Sequence, residues 1–177
     1  MGHPSGHTVL LVPVPELEPF VRERTAHHDA SFLSTDPDFV HAHVTVLGPF
    51  LDDPAPADLD RVAAVAAEVP AFDFELDRFG EFADGILHLL PEPDSSFREL
   101  TRRLVAAFPQ CPPYGGAFPE PTPHLTVEQR TGEIDEAWVR AALGPVLPAH
   151  CRADRVRLHR YANHDCRVLG EWKLGLA

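Results

Sequence analysis

Two copies of one short motif occur in the 177-residue sequence. They read His43-Val44-Thr45-Val46 and His124-Leu125-Thr126-Val127, and they fall in different halves of the chain. In a β-strand, residues i and i+2 point to the same face of the sheet. Each motif therefore predicts a histidine and a threonine together on one face of a strand, with two apolar side chains turned towards the core.

Two imidazoles and two hydroxyls that meet in one cleft suit chemistry at a phosphodiester. A neutral imidazole can take a proton from water and a protonated one can give a proton to the leaving oxygen, each transfer contributing roughly 10²–10⁴-fold. Histidine can hold both forms near neutral pH, and threonine hydroxyls can donate to the non-bridging oxygens. We therefore predict His43 and His124 as catalytic residues and Thr45 and Thr126 as phosphate-binding residues. We expect neither a metal nor any other cofactor.

The segments around the motifs carry the patterns of the elements that must position them. Apolar residues alternate in the predicted strands and recur at the helical period in the predicted helices. We predict strands over residues 8–12, 39–46, 72–76, 86–90, 124–127, 156–161 and 168–174, and helices over residues 16–28, 57–69, 95–108 and 131–143. Each motif histidine thus falls in the second strand of a similar run of elements.

The order strand, helix, strand, helix, strand occurs twice, over approximately residues 7–80 and 84–161. We interpret the recurrence as an internal duplication of a β-α-β-α-β unit, which gives two similar lobes that face each other across a cleft. The period is too long for a solenoid repeat. A chain of 177 residues fits one domain or two small lobes. We therefore predict a single two-lobed domain over residues 1–177.

Charge and cysteine content restrict the partners and the setting. A net charge of −12 argues against a long duplex nucleic acid, although a local site can still bind a small phosphate-bearing ligand. The cysteines at 111, 151 and 166 are odd in number and form no CxxC pair, which favours a reduced, cytoplasmic setting. No basic region starts the chain, and the apolar run over residues 9–14 is too short for a signal peptide. We expect a monomer without membrane association.

Other polar clusters offer competing interpretations. His41-Ala42-His43 has the spacing that some metallohydrolases use for a metal, which would make His41 a ligand rather than a residue at the rim of the cleft. His164-Asp165-Cys166 resembles a nucleophile set but falls in a predicted hairpin turn. The pair His27-His28 lies at a predicted helix C-terminus, where it complements the dipole. His88 lies on an apolar run, which is typical of a core or rim histidine.

Four further residues are candidates for contact with a substrate. Arg130 follows the second motif and could reach a phosphate. Phe50, Tyr114 and Phe118 flank the predicted cleft, and stacking of a base on one of them would contribute roughly 1–3 kcal/mol. Tyr114 and Phe118 belong to a segment rich in proline and glycine, residues 109–123. A loop of this length in a compact domain is usually functional or disordered.

The segments 43–50 and 123–127 together resemble the paired His-x-Thr-x motifs of the two-histidine phosphoesterase superfamily. Within it, the chain is similar to the 2′-5′ RNA ligase-like family, also called RNA 2′,3′-cyclic phosphodiesterases. The resemblance covers nearly the whole chain and implies a bilobal α+β fold with two antiparallel-rich sheets around a central cleft. It also implies hydrolysis of a 2′,3′-cyclic phosphate, usually to the 2′-phosphate, without a metal.

The resemblance implies a small nucleotide or an RNA end with a cyclic phosphate as the substrate. Several RNA-acting members are basic, whereas this chain carries a net charge of −12, so a small nucleotide is as strong a candidate as an RNA end. The alternative is a non-catalytic protein that binds a nucleotide or an RNA terminus in the same cleft. A binder needs phosphate donors but not two proton-transfer groups, and the paired histidines therefore favour the enzyme.

Overall fold

The computed structural model describes residues 6–118 and 120–175, so the ends of the predicted domain, including the N-terminal segment 1–4, lie outside the described residues. The strands are β1 (His7–Pro13), β2 (His43–Leu47), β3 (Phe72–Glu81), β4 (Ile86–Glu92), β5 (Leu125–Gln129), β6 (Ala149–Ala153), β7 (Arg155–Tyr161) and β8 (Arg167–Lys173). The helices are α1 (Glu18–Asp29), α2 (Pro56–Glu68), α3 (Ser95–Ala107) and α4 (Glu136–Leu143). Within the described part of the chain, no helix is both long and apolar enough to cross a membrane.

The strands form two four-stranded sheets in which every neighbouring pair is antiparallel. The strand orders are β2-β1-β7-β8 in the first sheet and β5-β4-β3-β6 in the second. The predicted α+β class with antiparallel sheets is thereby confirmed. Each motif strand, β2 or β5, lies at one edge of its sheet, and the two edge strands contact each other.

Each sheet contains strands from both halves of the chain. Strand β3 belongs by sequence to the first half but pairs with β4 and β6, while β7 from the second half pairs with β1. The last strand of each predicted β-α-β-α-β unit therefore completes the sheet that the other unit begins. The order of elements agrees with the predicted duplication, and the duplication itself stays a prediction.

The predicted elements are present, although β3 continues to Glu81 and β5 begins at Leu125, just after His124. Three further differences have a local cause. Residues 39–42 lie outside β2, because Glu18 accepts hydrogen bonds from His41 and Ala42 where a strand partner would otherwise be needed. Helix α4 begins at Glu136 rather than at 131, since the Asp135 carboxylate caps the Trp138 amide at 2.9 Å. Strand β6 was not predicted, because it holds two alanines, which are depleted in strands, and no β-branched residue.

The helices cover the sheets and close the space between them. Helix α3 packs against β2 and α2, α2 packs against β8, and α1 packs against β5 of the other sheet. Phe97 of α3 is 1% exposed and lies edge-on against Phe72 and Phe74 of β3, with ring centroids 4.9 Å apart in both pairs. This aromatic cluster fixes α3 on β3 while α3 also supports the motif strand β2.

Replacement of Phe97 by alanine tests this packing. Because the ring is buried and in contact with two others, Phe97→Ala should lower the free energy of unfolding by about 3–5 kcal/mol. The matched control is Phe118→Ala, whose ring is 58% exposed and whose effect should stay within about 0.5 kcal/mol. Urea denaturation of both variants provides the measurement, and equal stability of the two would contradict the placement of Phe97.

Candidate active site

The meeting edges of the two sheets bring both motifs to one cavity of about 420 Å³. His43 and Thr45 of β2 line it from one side, and His124 and Thr126 at the start of β5 line it from the other. Both histidines are half-buried. The residue between the histidine and the threonine of each motif, Val44 or Leu125, is buried in the core. The alternation predicted from the sequence therefore directs the four polar side chains into a common space.

Both histidine rings are held by the same backbone hydrogen bond. Nδ1 of His43 lies 2.8 Å from the carbonyl oxygen of His41, and Nδ1 of His124 lies 2.8 Å from that of Thr122. A carbonyl oxygen can only accept, so each Nδ1 carries the proton and donates it. In the neutral ring Nε2 is then the acceptor, and it has no protein partner among the described residues. Both rings are thus set to accept or donate a proton through Nε2.

A β-bulge follows the threonine in both motif strands. The extra residue is Val46 in β2 and Val127 in β5, because the residues on either side of each pair with consecutive residues of the neighbouring strand. The hydroxyl of Thr101 on α3 donates to the Val46 carbonyl at 2.7 Å. Bulges interrupt the alternation of faces and commonly re-aim side chains next to active sites. After the second bulge the side chain of Glu128 is buried, whereas Thr126 is exposed.

The electrostatic surroundings keep both motif histidines neutral. Burial lowers the pKa of His43 to about 4, the hydrogen bond to the His41 carbonyl opposes this, and a charge on His124 would lower it further. Burial likewise lowers the pKa of His124, again against a backbone hydrogen bond. Each ring therefore resists a proton in the free protein, and a bound anion would favour the protonated form.

The position of His43 depends on His41 and Glu18. His41 is buried, its Nδ1 lies 2.7 Å from the Glu18 carboxylate, and its Nε2 accepts the Ser34 amide at 3.2 Å. Glu18 also accepts the Ala42 amide at 2.9 Å. Both ring nitrogens of His41 are occupied by the protein, which argues against the His-x-His metal site. Its role is to fix the carbonyl that orients His43.

Strand β7 contributes an aromatic group that sequence reasoning missed. The Tyr161 hydroxyl lies 3.2 Å from Nδ1 of His43, and its ring lines the cavity. Behind it, His159 is 0% exposed, stacks on Phe39 with centroids 4.2 Å apart, and has no hydrogen-bond partner for either ring nitrogen among the described residues. Burial lowers the pKa of His159 to about 3. The alternation in residues 156–161 predicted the strand, but nothing in it pointed to the site.

A second cavity of about 570 Å³ adjoins the first, and the two share Ile86, His124 and Thr126. Its other lining includes the aromatic rings of Phe82, Tyr114 and Phe118. Phe118 is 58% exposed and Tyr114 is 38% exposed.

One hydrogen bond and two ring contacts fix the wall of the second cavity. The Tyr114 amide donates to the Gly48 carbonyl at 2.7 Å, which ties the proline-rich loop to the end of β2. Phe82 stacks on His88 at 4.0 Å and meets the edge of His124 at 4.7 Å. His88 is thus a buried histidine that supports the wall behind His124, as the sequence interpretation expected of a core or rim residue.

Several sequence candidates lie away from these cavities. Phe50 is 5% exposed and packs on Phe108 with centroids 4.8 Å apart, because its amide extends the pairing with β1 through the Thr8 carbonyl. Arg130 is exposed and donates to Glu81 at 2.7 Å, outside the lining of either cavity.

Two other polar clusters are also accounted for. The His164-Asp165-Cys166 segment forms the turn between β7 and β8, which confirms the predicted hairpin. His28 lies in the last turn of α1, as expected, and its Nε2 also bonds the buried Glu128 at the cavity wall.

Comparisons with known proteins agree with this architecture. Residues 13–165 match the sequence model of the 2′-5′ RNA ligase superfamily. No curated protein matches the chain. A crystal structure described as a phosphoesterase superposes with a TM-score of 0.59 at 17% identity, covering 97% of this chain and 99% of that chain.

Two further solved structures share the fold. E. coli LigT complexed with 3′-AMP gives a TM-score of 0.54 at 17% identity, covering 97% of this chain and 99% of that chain. TT0787 of Thermus thermophilus gives a TM-score of 0.56 at 16% identity, covering 96% of this chain and 98% of that chain. At this level of identity the likeness establishes a common fold.

The lowered histidine pKa values predict how stability depends on pH. In the unfolded chain a histidine binds its proton near pH 6.5, whereas buried His159 resists it until about pH 3. The unfolded state therefore holds more protons between these values, and the free energy of unfolding falls as the pH falls from 6.5 towards 4. His159→Leu should make this decline shallower by about 1.4 kcal/mol per pH unit, the effect of one proton.

Urea denaturation at pH 4, 5, 6 and 7 measures the slope. The control is His150→Leu, which removes an imidazole whose side chain is 77% exposed. Equal slopes for His159→Leu and the unmodified protein would mean that His159 is charged in the folded state.

Proposed function

Since the chain belongs to the 2′-5′ RNA ligase superfamily, we propose that it is a metal-independent phosphodiesterase that hydrolyses the 2′,3′-cyclic phosphate of a nucleotide or an RNA end. The observation that carries the proposal is that His43 and His124 have the same tautomer and the same backbone hydrogen bond. Both donate through Nδ1 to a backbone carbonyl at 2.8 Å and keep Nε2 for the cavity they share with Thr45 and Thr126. A general acid and a general base for one phosphate need this arrangement.

The proposed reaction adds the elements of one water molecule across the bond from phosphorus to the 3′ oxygen and opens the ring. Nε2 of the neutral histidine takes a proton from water as the water oxygen bonds to phosphorus. The bond from phosphorus to the 3′ oxygen breaks, and the protonated histidine gives its Nε2 proton to that oxygen. The product is a 2′-phosphate with a free 3′-hydroxyl. The first histidine ends protonated and the second neutral, and exchange with solvent restores the starting state.

Thr45 and Thr126 support the same step from opposite strands. Their hydroxyls line the cavity beside the two rings, where they can donate to the non-bridging phosphate oxygens as charge grows there. A single donor of this kind is worth roughly 10²–10³-fold in rate. The negative phosphate also raises the lowered pKa of whichever histidine it faces, which supplies the protonated partner that the free protein disfavours.

The second cavity is the proposed place for the base of the substrate. It adjoins His124 and Thr126 and is lined by Phe82, Tyr114 and Phe118. Exposed aromatic rings offer faces for stacking, which accepts any base and contributes roughly 1–3 kcal/mol. This location accords with the sequence expectation for Tyr114 and Phe118, and Phe50, in the core, has no part in it.

Turnover of a panel of 2′,3′-cyclic mononucleotides and cyclic-ended oligonucleotides in excess EDTA tests the proposal. We expect full activity with the chelator, and a fall of at least about 10²-fold in kcat for His43→Ala and for His124→Ala. His150→Ala, which removes an exposed imidazole on β6, is the matched control and should leave kcat unchanged. Thr45→Ala and Thr126→Ala should lose less than the histidine variants, because the proton transfers remain.

The pH profile adds an independent readout. One imidazole must be neutral and the other protonated, so kcat/KM should follow a bell. Both pKa values are lowered in the free protein, and the optimum of kcat/KM should therefore lie below pH 6.5. A folded His43→Ala or His124→Ala variant with wild-type turnover would refute the mechanism. Substrate binding with no turnover by the unmodified protein would instead favour the non-catalytic binder.

The aromatic cavity predicts a change of substrate preference. Tyr114→Ala and Phe118→Ala should each raise KM by about 5- to 100-fold for substrates that carry a base, through lost stacking. The same variants should leave kcat for a base-free cyclic phosphate close to normal. Val146→Ala is the control, since Val146 is 39% exposed and lines neither cavity. If neither aromatic variant changes the preference among substrates, the proline-rich loop only connects α3 to β5 and does not bind the base.

A further inference from the structure

Arg24 is an arginine whose side chain lines the cavity that holds both histidines. It lies on α1, and its Nε donates to the carboxylate of Glu128 on β5. Its side chain is 13% exposed, whereas the carboxylate side is fully buried. Arg130, the candidate for a phosphate contact in the sequence, pairs with Glu81 outside the cavity. The cavity therefore receives its guanidinium from a different element.

Glu128 fixes the guanidinium, and both of its carboxylate oxygens already accept hydrogen bonds from the protein. One carboxylate oxygen accepts from Arg24, and the other bonds Nε2 of His28 and accepts the Gln129 amide at 2.8 Å. Burial raises the pKa of Glu128, but these hydrogen bonds together lower it by more. The pKa therefore lies below its usual value and the group stays ionised. The buried carboxylate therefore orients its arginine from the wall of the same cavity.

The terminal amino groups of Arg24 remain available. Among the described residues they make no hydrogen bond, and the guanidinium carbon lies 5.1 Å from the centre of the Trp138 ring. Held by Glu128 at Nε and by Trp138 on one face, the guanidinium is a rigid fork whose outer donors are unused. Such a fork matches two oxygens of a phosphate. His28, half exposed at 50%, stands on the same helix and lines the same cavity.

Glu128, which holds the fork, lies further along β5 than the motif threonine. Glu128 follows Thr126 by two residues, which corresponds to roughly 6–7 Å of strand, and the intervening bulge at Val127 turns it to a different face. The cavity, at about 420 Å³, extends across this distance from the histidines to α1. A ligand that fills it presents its reacting phosphate at one end and a separate group at Arg24.

We propose that Arg24, oriented by Glu128 and flanked by His28, binds a second phosphate of the substrate, separate from the one that reacts. The inference rests on the proposed function and narrows it to substrates with an additional phosphate, such as a 5′-phosphorylated cyclic nucleotide or the next diester of an RNA end. Arg24 is then a specificity-determining residue, and Glu128 is a positioning residue that acts through it.

Binding of two nucleotide probes tests the inference without relying on turnover. Isothermal titration calorimetry should show that adenosine 2′,5′-bisphosphate binds about 10- to 100-fold more tightly than adenosine 2′-monophosphate, as expected for charge-assisted hydrogen bonds. Arg24→Ala should abolish this ratio. Arg22→Ala removes the same charge from an exposed position on the same helix and should retain it. A ratio near one in the unmodified protein, or an unchanged ratio in Arg24→Ala, overturns the inference.

A second variant keeps the test valid if Arg24→Ala fails to fold, since that change leaves a buried carboxylate without its partner. The double variant Arg24→Ala/Glu128→Gln removes the buried charge together with the guanidinium, and it should also lose the ratio. Arg24→Lys keeps the charge but not the fork, and it should retain only part of the ratio. A double variant that is folded and keeps the full ratio contradicts the role of Arg24.

Turnover separates failure of the inference from failure of the proposed function. With 2′,3′-cyclic nucleotides, a 5′-phosphate should lower KM by about 10-fold or more, and Arg24→Ala should raise KM for the 5′-phosphorylated substrate while kcat changes little. Hydrolysis of both substrates with equal KM overturns the inference and leaves the proposed function intact. Tighter binding of the bisphosphate probe without hydrolysis supports the inference and rejects the proposed function.

Discussion

The hydrogen bond from Nδ1 to the carbonyl two residues earlier is the interaction on which this site depends. It occurs in both motifs with the same length, 2.8 Å at His43 and 2.8 Å at His124. It selects one tautomer, prevents the ring from turning, and directs Nε2 towards the cavity. The carbonyl acceptors come from backbone that precedes each motif strand, so the path of the chain before the motif matters as much as the motif itself.

Helix α1 holds both motif strands at the distance that the cavity requires. Near its start, Glu18 binds the residues that precede β2, and near its end Arg24 and His28 bind Glu128 of β5. A single rigid element is therefore bonded to the edge strands of both sheets. One end is the hydrogen bond between the Glu18 carboxylate and buried His41, and the other is the buried ion pair of Arg24 and Glu128, which is costly to break one partner at a time. The cleft is defined by this helix as much as by the two sheets.

The motifs, their strands and the helices could be predicted because each depends on local periodicity. His43, Thr45, His124 and Thr126 meet because two such strands lie at facing edges, which the paired motifs already suggested. Arg24, Glu128 and Tyr161 were not found, since their roles come from contacts between residues far apart in sequence.

Phe50 and Arg130 were placed by nearness to a motif in sequence. Backbone pairing at the end of the neighbouring strand turned both away, through the Phe50 amide to Thr8 and the Arg130 amide to Gly85. The exchange of β3 and β7 between sheets also has no signature in the alternation of either strand.

That exchange has a consequence for biosynthesis. The first motif lies on β2, whose sheet gains its remaining strands only with β7 and β8, the last strands of the described chain. A domain generally folds as a unit, and here the edge of β1 that pairs with β7 has no partner until residues more than a hundred positions later have been made. Such non-local pairing slows folding. The nascent chain therefore holds the first histidine without a finished sheet until β7 and β8 have been made, and the lining of the cavity is complete only when β7 pairs with β1.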